Sequence, residues 1–235
     1  MNQSYQLPNF SFEKHFWNRG YKLVAGLDEV GRGSFAGPAV VACVVFDREV
    51  SPRKIKIDDS KRLTAKQREE ADRWIKEKAH HWKIEEVPVK HVNKSGIHKS
   101  IHSGFRRVIT SSVKSNDCRV DYLLIDGFNV PYFRGYHSIH KSVNHIDEYS
   151  HSGEKQLAIK GGDRKSISIA AASIIAKVYR DSLMKNLGRH DKYSKYCWYS
   201  NKGYGTAVHR QAILKHGASD LHRKQFIKTF LKNNS

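Results

Sequence analysis

Two apolar runs, residues 22–28 and 38–46, are joined by a short glycine-bearing segment, which predicts a pair of antiparallel strands, the second rich in valine. Asp28 is expected at a strand end. A basic, proline-containing loop over 48–61 leads to Thr64 and Gln67, spaced as a capping box, and Ala71, Trp74, Ile75 and Ala79 then line one face of a predicted helix. Residues 82–89 alternate weakly, as a strand would. Ile97, Ile101, Phe105, Val108, Ile109 and Val113 recur at helical spacing and predict a second amphipathic helix. Residues 122–126 are an apolar run ending in Asp126. Residues 128–156 are polar, histidine-rich and aperiodic, which predicts a long loop or insertion, and 157–159 resume as a short strand.

Ile167, Ala170, Ala171, Ile174, Ile175 and Val178 form a well-spaced helix entered from Gly161-Gly162-Asp163, with alanines suited to close packing on a sheet. Beyond Gly188 the chain turns basic and tyrosine-rich, with helices expected near 206–216, ended by Gly217, and near 220–231. No internal repeat is found. The order of elements predicts an α/β domain with a mixed sheet over residues 1–188 and a C-terminal helical extension, 189–235, packed on it.

Composition narrows the class of partner. The 235 residues carry 42 Lys+Arg against 23 Asp+Glu, a formal net charge of +19, which favours a polyanion such as nucleic acid. A membrane surface is disfavoured, because the basic residues are dispersed and no lipidation motif is evident. Cys43, Cys118 and Cys197 are isolated, which excludes a disulfide framework or a four-cysteine zinc site and points to a reducing, cytoplasmic compartment. The longest apolar stretch, 36–46, is too short to span a bilayer, and residues 1–20 lack a signal-peptide core.

The chemistry lies in the carboxylates. Asp28, Asp126 and Asp163 each sit at or just after the end of an apolar segment, where strand ends can gather distant residues, and Glu29 adds a fourth. Two unit charges about 4 Å apart repel by roughly 4 kcal/mol at an effective dielectric near 20, so such a cluster takes up protons or binds cations. Mg²⁺ or Mn²⁺ suits an all-oxygen set. Taken singly, each aspartate could instead close a strand or cap a helix. Gly31 and Gly33 around Arg32 offer bare backbone that a sugar or phosphate can approach closely. His98 and His102 share a helix face and His137, His140, His145 and His151 punctuate the insertion; these read as surface histidines rather than metal ligands.

The whole pattern, from Tyr21 to about Phe230, resembles ribonuclease HII, the type 2 ribonuclease H family. The resemblance rests on Ala25-Gly26-Leu27-Asp28-Glu29-Val30-Gly31-Arg32-Gly33, Asp59-Ser60-Lys61-Arg62-Leu63 and Leu124-Ile125-Asp126-Gly127. It continues through Lys160-Gly161-Gly162-Asp163, the segment from Ala171 to Asp181, Lys202-Gly203-Tyr204-Gly205-Thr206 and His222-Arg223-Lys224. It departs from the family in a longer interval between Asp126 and Asp163 and in an incomplete match around Asn93. Ribonuclease HIII is disfavoured, since that family carries an added N-terminal domain and only a short segment here precedes the first strand.

The resemblance implies a ribonuclease H-like fold and hydrolysis of the phosphodiester 5′ to a ribonucleotide in RNA–DNA hybrids and in DNA with embedded ribonucleotides. The products would be 3′-hydroxyl and 5′-phosphate ends. It implies that Asp28, Glu29, Asp126 and Asp163 are catalytic and hold two Mg²⁺ or Mn²⁺ ions. Gly31, Arg32 and Gly33 would contact the scissile ribonucleotide, and Tyr204 would complete a sensor of the 2′-hydroxyl, the group that distinguishes RNA from DNA. Lys61 and Arg62 are expected on phosphates. Asp181 is expected to pair with a local base rather than a metal. A monomer is expected, and a sliding clamp is left open as a partner with nothing in the sequence to read it from. The rival readings are a non-catalytic nucleic-acid-binding module and a junction-type DNA nuclease indifferent to the 2′-hydroxyl.

Overall fold

The computed structural model describes residues 5–52, 54–114, 119–136, 143–145 and 154–232. Its centre is a five-stranded mixed sheet built from β1 (Val24–Val30), β2 (Ala39–Val45), β3 (His81–Val87), β4 (Tyr122–Asp126) and β5 (Gln156–Ile159), in the order β3-β2-β1-β4-β5. The hairpin pairs antiparallel as predicted, with Ala25 opposite Val45 and Val30 opposite Val40, and β3 adds antiparallel to β2. β4 lies parallel to β1, and β5 parallel to β4.

Alternation along the strands divides the core into two layers. Ala25 and Leu27 of β1 and Val41, Cys43 and Val45 of β2 face α4 (Ile97–Lys114), where Ile101, Phe105, Val108 and Ile109 are buried against them. Val40, Ala42 and Val44 face the opposite layer, made by α2 (Ala65–Lys78) and α5 (Ile167–Arg189). The capping box at Thr64 and Gln67 starts α2. Helix α5 rests directly on the sheet: a Cβ at Gly26 would lie 2.1 Å from the carbonyl carbon of Ser168, so β1 can approach this helix only without a side chain there. Its alanines, Ala170, Ala171, Ala172 and Ala176, are buried for the same reason.

Several elements depart from expectation. Asp28 is not at the end of β1, because Glu29 and Val30 continue pairing with Val41 and Val40; only the parallel pairing to β4 stops just before it, at Leu27 and Ile125. An N-terminal helix, α1 (Ser11–Trp17), buries Phe12, Phe16 and Trp17 against Tyr122, Leu157 and Ile169, a short aromatic face that the polar surroundings hide. The weak alternation ends at Val87, and Pro88 starts a further short helix, α3 (Val89–Ser95), separated from α4 by Gly96 at a φ of 78°. The last helix starts at Lys224 rather than near 220. His137, His140 and His151 lie outside the described residues, as does Cys118.

The C-terminal helices α6 (Asp191–Ser194), α7 (Trp198–Asn201), α8 (Ala207–His216) and α9 (Lys224–Lys232) gather around Trp198, Tyr196, Ile213 and Phe230, and this cluster includes Ala36 and Met184. Among the described residues, no helix is long and apolar enough to cross a membrane.

Candidate active site

Asp28 and Asp126 occupy adjacent strands at one level, since Leu27 pairs with Ile125 in the parallel ladder, and both side chains follow the alternation that faces α5. The third aspartate arrives from outside the sheet. After β5, Gly161 adopts a left-handed conformation (φ 61°) and a single 3-10 turn, Gly162–Arg164, carries Asp163 back beside Asp126. The main-chain N–H of Gly162 donates to Asp126 Oδ1 at 2.6 Å, so the same turn orients both carboxylates. Glu29 follows Asp28 on β1, and its main-chain N–H donates to Asp28 Oδ1 at 2.7 Å.

All four acids line one cleft of about 270 Å³, shared with Gly31, Arg32, Gly33, Ser60, Lys61, Ser173, Lys177 and Tyr204. Burial raises the pKa of each acid, and neighbouring carboxylates add to the effect at Asp28, Glu29 and Asp163. Asp28 is held well above the usual range by burial and by Glu29 and Asp126. Glu29 is pushed up to about 7 by burial and Asp126, with Arg32 opposing. Burial also raises Asp126, against the Gly162 N–H and Lys61, and burial and Asp126 take Asp163 to about 6. Such a site binds protons or cations in preference to remaining bare.

The donors suit a hard divalent cation: every nearby acid supplies oxygen, and Glu29 Oε2 is buried with no hydrogen-bond partner. Among the described residues, no three His, Cys, Asp or Glu side chains are already drawn together tightly enough to hold an ion as they stand. The Glu29 and Gly162 main-chain N–H groups and Arg32, whose Nη1 lies 3.5 Å from Glu29 Oε1, occupy carboxylate oxygens that a cation would otherwise take. His98 is within 3.0 Å of Arg32 Nη2, and the His102 ring lies 5.1 Å from that of Phe128, so these histidines meet an arginine and an aromatic ring.

The remaining predicted residues divide. Arg32 leaves Glu29 partly free and lies 5.5 Å over Phe128. Lys61 lines the cleft, whereas Arg62 does not; it stacks 3.6 Å over the Tyr5 ring, which in turn bonds Asp58. Asp181 pairs with Lys177 at 2.8 Å, the local ion pair expected of it. Tyr204 reaches the cleft from the C-terminal region, its ring flanked by Lys177 and Arg180, each at 5.4 Å.

Sequence reading missed the supporting groups. Ser60 Oγ and Ser173 Oγ lie 3.0 Å apart in the cleft beside Asp28. Ser173 and Lys177 are one helical turn apart on α5, a spacing that could have been read once Asp28 was assigned to the same face. Arg180, fully buried, spans the carbonyls of Pro38, Ala36 and Lys202 at 2.9–3.1 Å and so joins the glycine loop to the loop of Tyr204.

A family model described as Ribonuclease HII matches residues 25–229. A protein named Ribonuclease HII from Clostridium botulinum (strain ATCC 19397 / Type A) is 41% identical over 228 residues, covering 94% of this chain and 73% of its own length. Among solved structures, the chain resembles one of a PCNA:RNase HII complex from Archaeoglobus fulgidus, with a TM-score of 0.63 and 24% identity, over 86% of this chain and 93% of that one. It also resembles Bst-RNase HIII in complex with Mn²⁺, with a TM-score of 0.63 and 21% identity, over 96% of this chain and 70% of that one. At these identities the two structures bear on the fold, and they share its ribonuclease H-like architecture.

Proposed function

Since this chain belongs to the ribonuclease HII family, a family of metal-dependent endonucleases acting on RNA–DNA hybrids, we propose that it hydrolyses the phosphodiester 5′ to a ribonucleotide, in hybrids and in DNA with embedded ribonucleotides, leaving 3′-hydroxyl and 5′-phosphate ends. The carrying observation is the meeting of Asp28, Glu29, Asp126 and Asp163 in one cleft with Gly31, Gly33 and Tyr204 on its rim. These four carboxylates would hold two divalent ions, Mg²⁺ or Mn²⁺. Held there, such ions would supply Lewis-acid activation of a water and charge neutralisation at the leaving oxygen.

The chain's own groups supply the rest. Asp126 and Asp163, oriented by the Gly162 turn, and Asp28, oriented by the Glu29 N–H, would set the ligand positions without rearranging the sheet. Lys61 and Lys177 place positive charge at the cleft for the phosphate backbone, which positions a duplex without reading its sequence. Gly33, exposed and with open space where a Cβ would stand, lets the substrate meet the main chain. The Tyr204 ring would stack on the sugar bearing the 2′-hydroxyl. Arg62, half exposed at the rim, would reach a more distant phosphate by leaving Tyr5.

Residues 1–188 and 189–235 would act as one body, because Tyr204 of the second segment lines a cleft built by the first. The Archaeoglobus relative was solved with PCNA, so a sliding clamp is a partner worth testing here. Widely separated cysteines support a cytoplasmic setting.

The test is incision of three labelled duplexes, all-deoxy, one embedded ribonucleotide, and RNA–DNA hybrid, with Mg²⁺ or Mn²⁺. Cleavage is expected on the last two, with a 5′-phosphate on the ribonucleotide-bearing product. Cleavage of a branched all-deoxy duplex with no preference for ribose would favour a junction nuclease, and binding without incision at any metal concentration would leave only a binding module.

A further inference from the structure

His222 and Arg223 are consecutive, buried, and unused by the chemistry above. Arg223 directs its guanidinium entirely at main-chain carbonyls: Nη1 donates to Gly31 O at 2.6 Å and Arg32 O at 2.9 Å, while Nε and Nη2 donate to Gly37 O at 3.1 and 3.0 Å. It therefore holds both ends of the glycine loop. His222 turns the other way, toward His209, with the two Nε2 atoms 3.1 Å apart. His209 Nδ1 lies 2.9 Å from the carbonyl oxygen of Tyr204.

The partners determine where each ring proton sits. The main-chain N–H of Ser219 points at His222 Nδ1 at 2.8 Å, so that nitrogen accepts and the proton of the neutral ring is on Nε2. A carbonyl can only accept, so His209 carries its proton on Nδ1 and donates it to Tyr204. The indole N–H of Trp198 can only donate, and it meets His209 Nε2 at 3.0 Å. The single lone pair of His209 Nε2 is thus shared between the N–H groups of Trp198 and His222, while its Nδ1–H is given to Tyr204 alone. Burial lowers the pKa of both histidines, His222 to about 4, which keeps the two rings neutral near pH 7 as this pattern requires.

We infer that His222 and Arg223 brace the two halves of the ribonucleotide sensor, Arg223 holding the Gly31–Arg32 backbone and His222, through His209, hooking the carbonyl of Tyr204 in register with it. His209 is on this view a positioning residue whose Nδ1–H sets where the Tyr204 ring stands relative to the glycine loop. The inference rests on Tyr204 acting as the sensor. An apolar residue at 209 would fill the space but could not fix the direction of a carbonyl.

Two conservative variants separate hooking from filling. In His209→Asn the side-chain amide can place an N–H where Nδ1 stood; in His209→Gln the amide reaches the Nε2 position, satisfying Trp198 and His222 but releasing Tyr204. Measured by kcat/KM on duplexes with one embedded ribonucleotide and on uniform hybrid, His209→Gln should lose about tenfold of its relative preference for the embedded site, as expected for one directed hydrogen bond. His209→Asn should retain that preference. Equal effects of the two variants, or parallel losses on both substrates, would overturn the brace. Tyr204→Ala, run alongside, tells the two ideas apart: if it leaves incision at the embedded ribonucleotide unchanged, the sensor reading itself fails, and if it weakens incision while His209→Gln does not, only the brace fails. Nitrogen-15 NMR of the wild-type histidines gives a check that needs no variant: protons on Nδ1 of His209 and Nε2 of His222 are expected, and the opposite tautomers would refute the hook.

Discussion

Gly31 and Gly33 stand two residues apart in the same loop, yet the fold requires glycine only at the first, so substituting alanine at each separates folding from catalysis. Gly31 has a φ of 88°, and a Cβ there would lie 2.1 Å from Arg180 Nε and 2.7 Å from its Cδ. The backbone conformation alone costs about 1–2 kcal/mol for a residue with a side chain. Arg180 is fully buried and bonded to three carbonyls, so it cannot swing aside without giving up at least one charge-assisted hydrogen bond, a further loss of about 1.5–3 kcal/mol. Gly31→Ala should therefore destabilise the fold by about 3–5 kcal/mol, lowering the melting temperature by roughly 10 °C in a chain of this size.

Gly33 has no positive φ and no atom within 4 Å of where a Cβ would stand, so nothing inside the protein requires glycine there. Gly33→Ala should melt within about 0.5 kcal/mol of wild type and still incise poorly, because the methyl group occupies the space through which the sugar-phosphate reaches the main chain. Urea unfolding paired with single-turnover incision of an embedded-ribonucleotide duplex measures both properties on the same preparations. A Gly33→Ala enzyme that incises at the wild-type rate would refute the close-approach argument, and a Gly31→Ala protein as stable as wild type would refute the account of Arg180.

Asp126→Asn should reduce incision by orders of magnitude while leaving duplex affinity within a few-fold, because it removes ligand charge but no phosphate contact; equal loss of binding would remove Asp126 from the metal site. Glu29 (about 7) and Asp163 (about 6) have folded-state pKa values above their unfolded ones, so their contribution to stability is full below about pH 4 and is lost as pH rises through 6 and 7. Metal-free protein should accordingly gain stability from these groups on going from pH 8 toward 6, Glu29→Gln should flatten that dependence, and Mn²⁺ should stabilise more at the higher pH, where protons no longer compete; calorimetric melts with and without Mn²⁺ check all three. Affinity for duplex should fall with salt at a logarithmic slope of about 0.9 per phosphate neutralised, and a flat response would contradict an electrostatic footprint for the +19 charge.

The parts of this molecule legible in its sequence are those that follow local rules. Apolar runs reveal four strands, weak alternation the fifth and 3.6-residue periodicity the helices α2, α4 and α5, and the Thr64–Gln67 box marks a helix start to the residue. The carboxylates were legible as strand-end acids, although Asp28 proved interior to its strand, since antiparallel pairing to β2 outruns parallel pairing to β4 and alternation alone cannot say which neighbour a strand will have. What stayed hidden were groups whose meaning depends on distant chain. Arg180 and Arg223 lie in segments that carry the family resemblance, but nothing local gave either a role; together they are buried on carbonyls of the 31–38 loop and Lys202, because an arginine fork can satisfy main-chain oxygens that no strand or helix has claimed. On the proposed function that loop exposes its backbone to a substrate on one side, and so forfeits the regular hydrogen bonding that would otherwise hold it. Its carbonyls then need donors from behind, and the donors must be long, multidentate and immobile. Buried arginines follow from the demand for an open glycine loop at the cleft, which is why the supports of this site are illegible until the loop they serve has been placed.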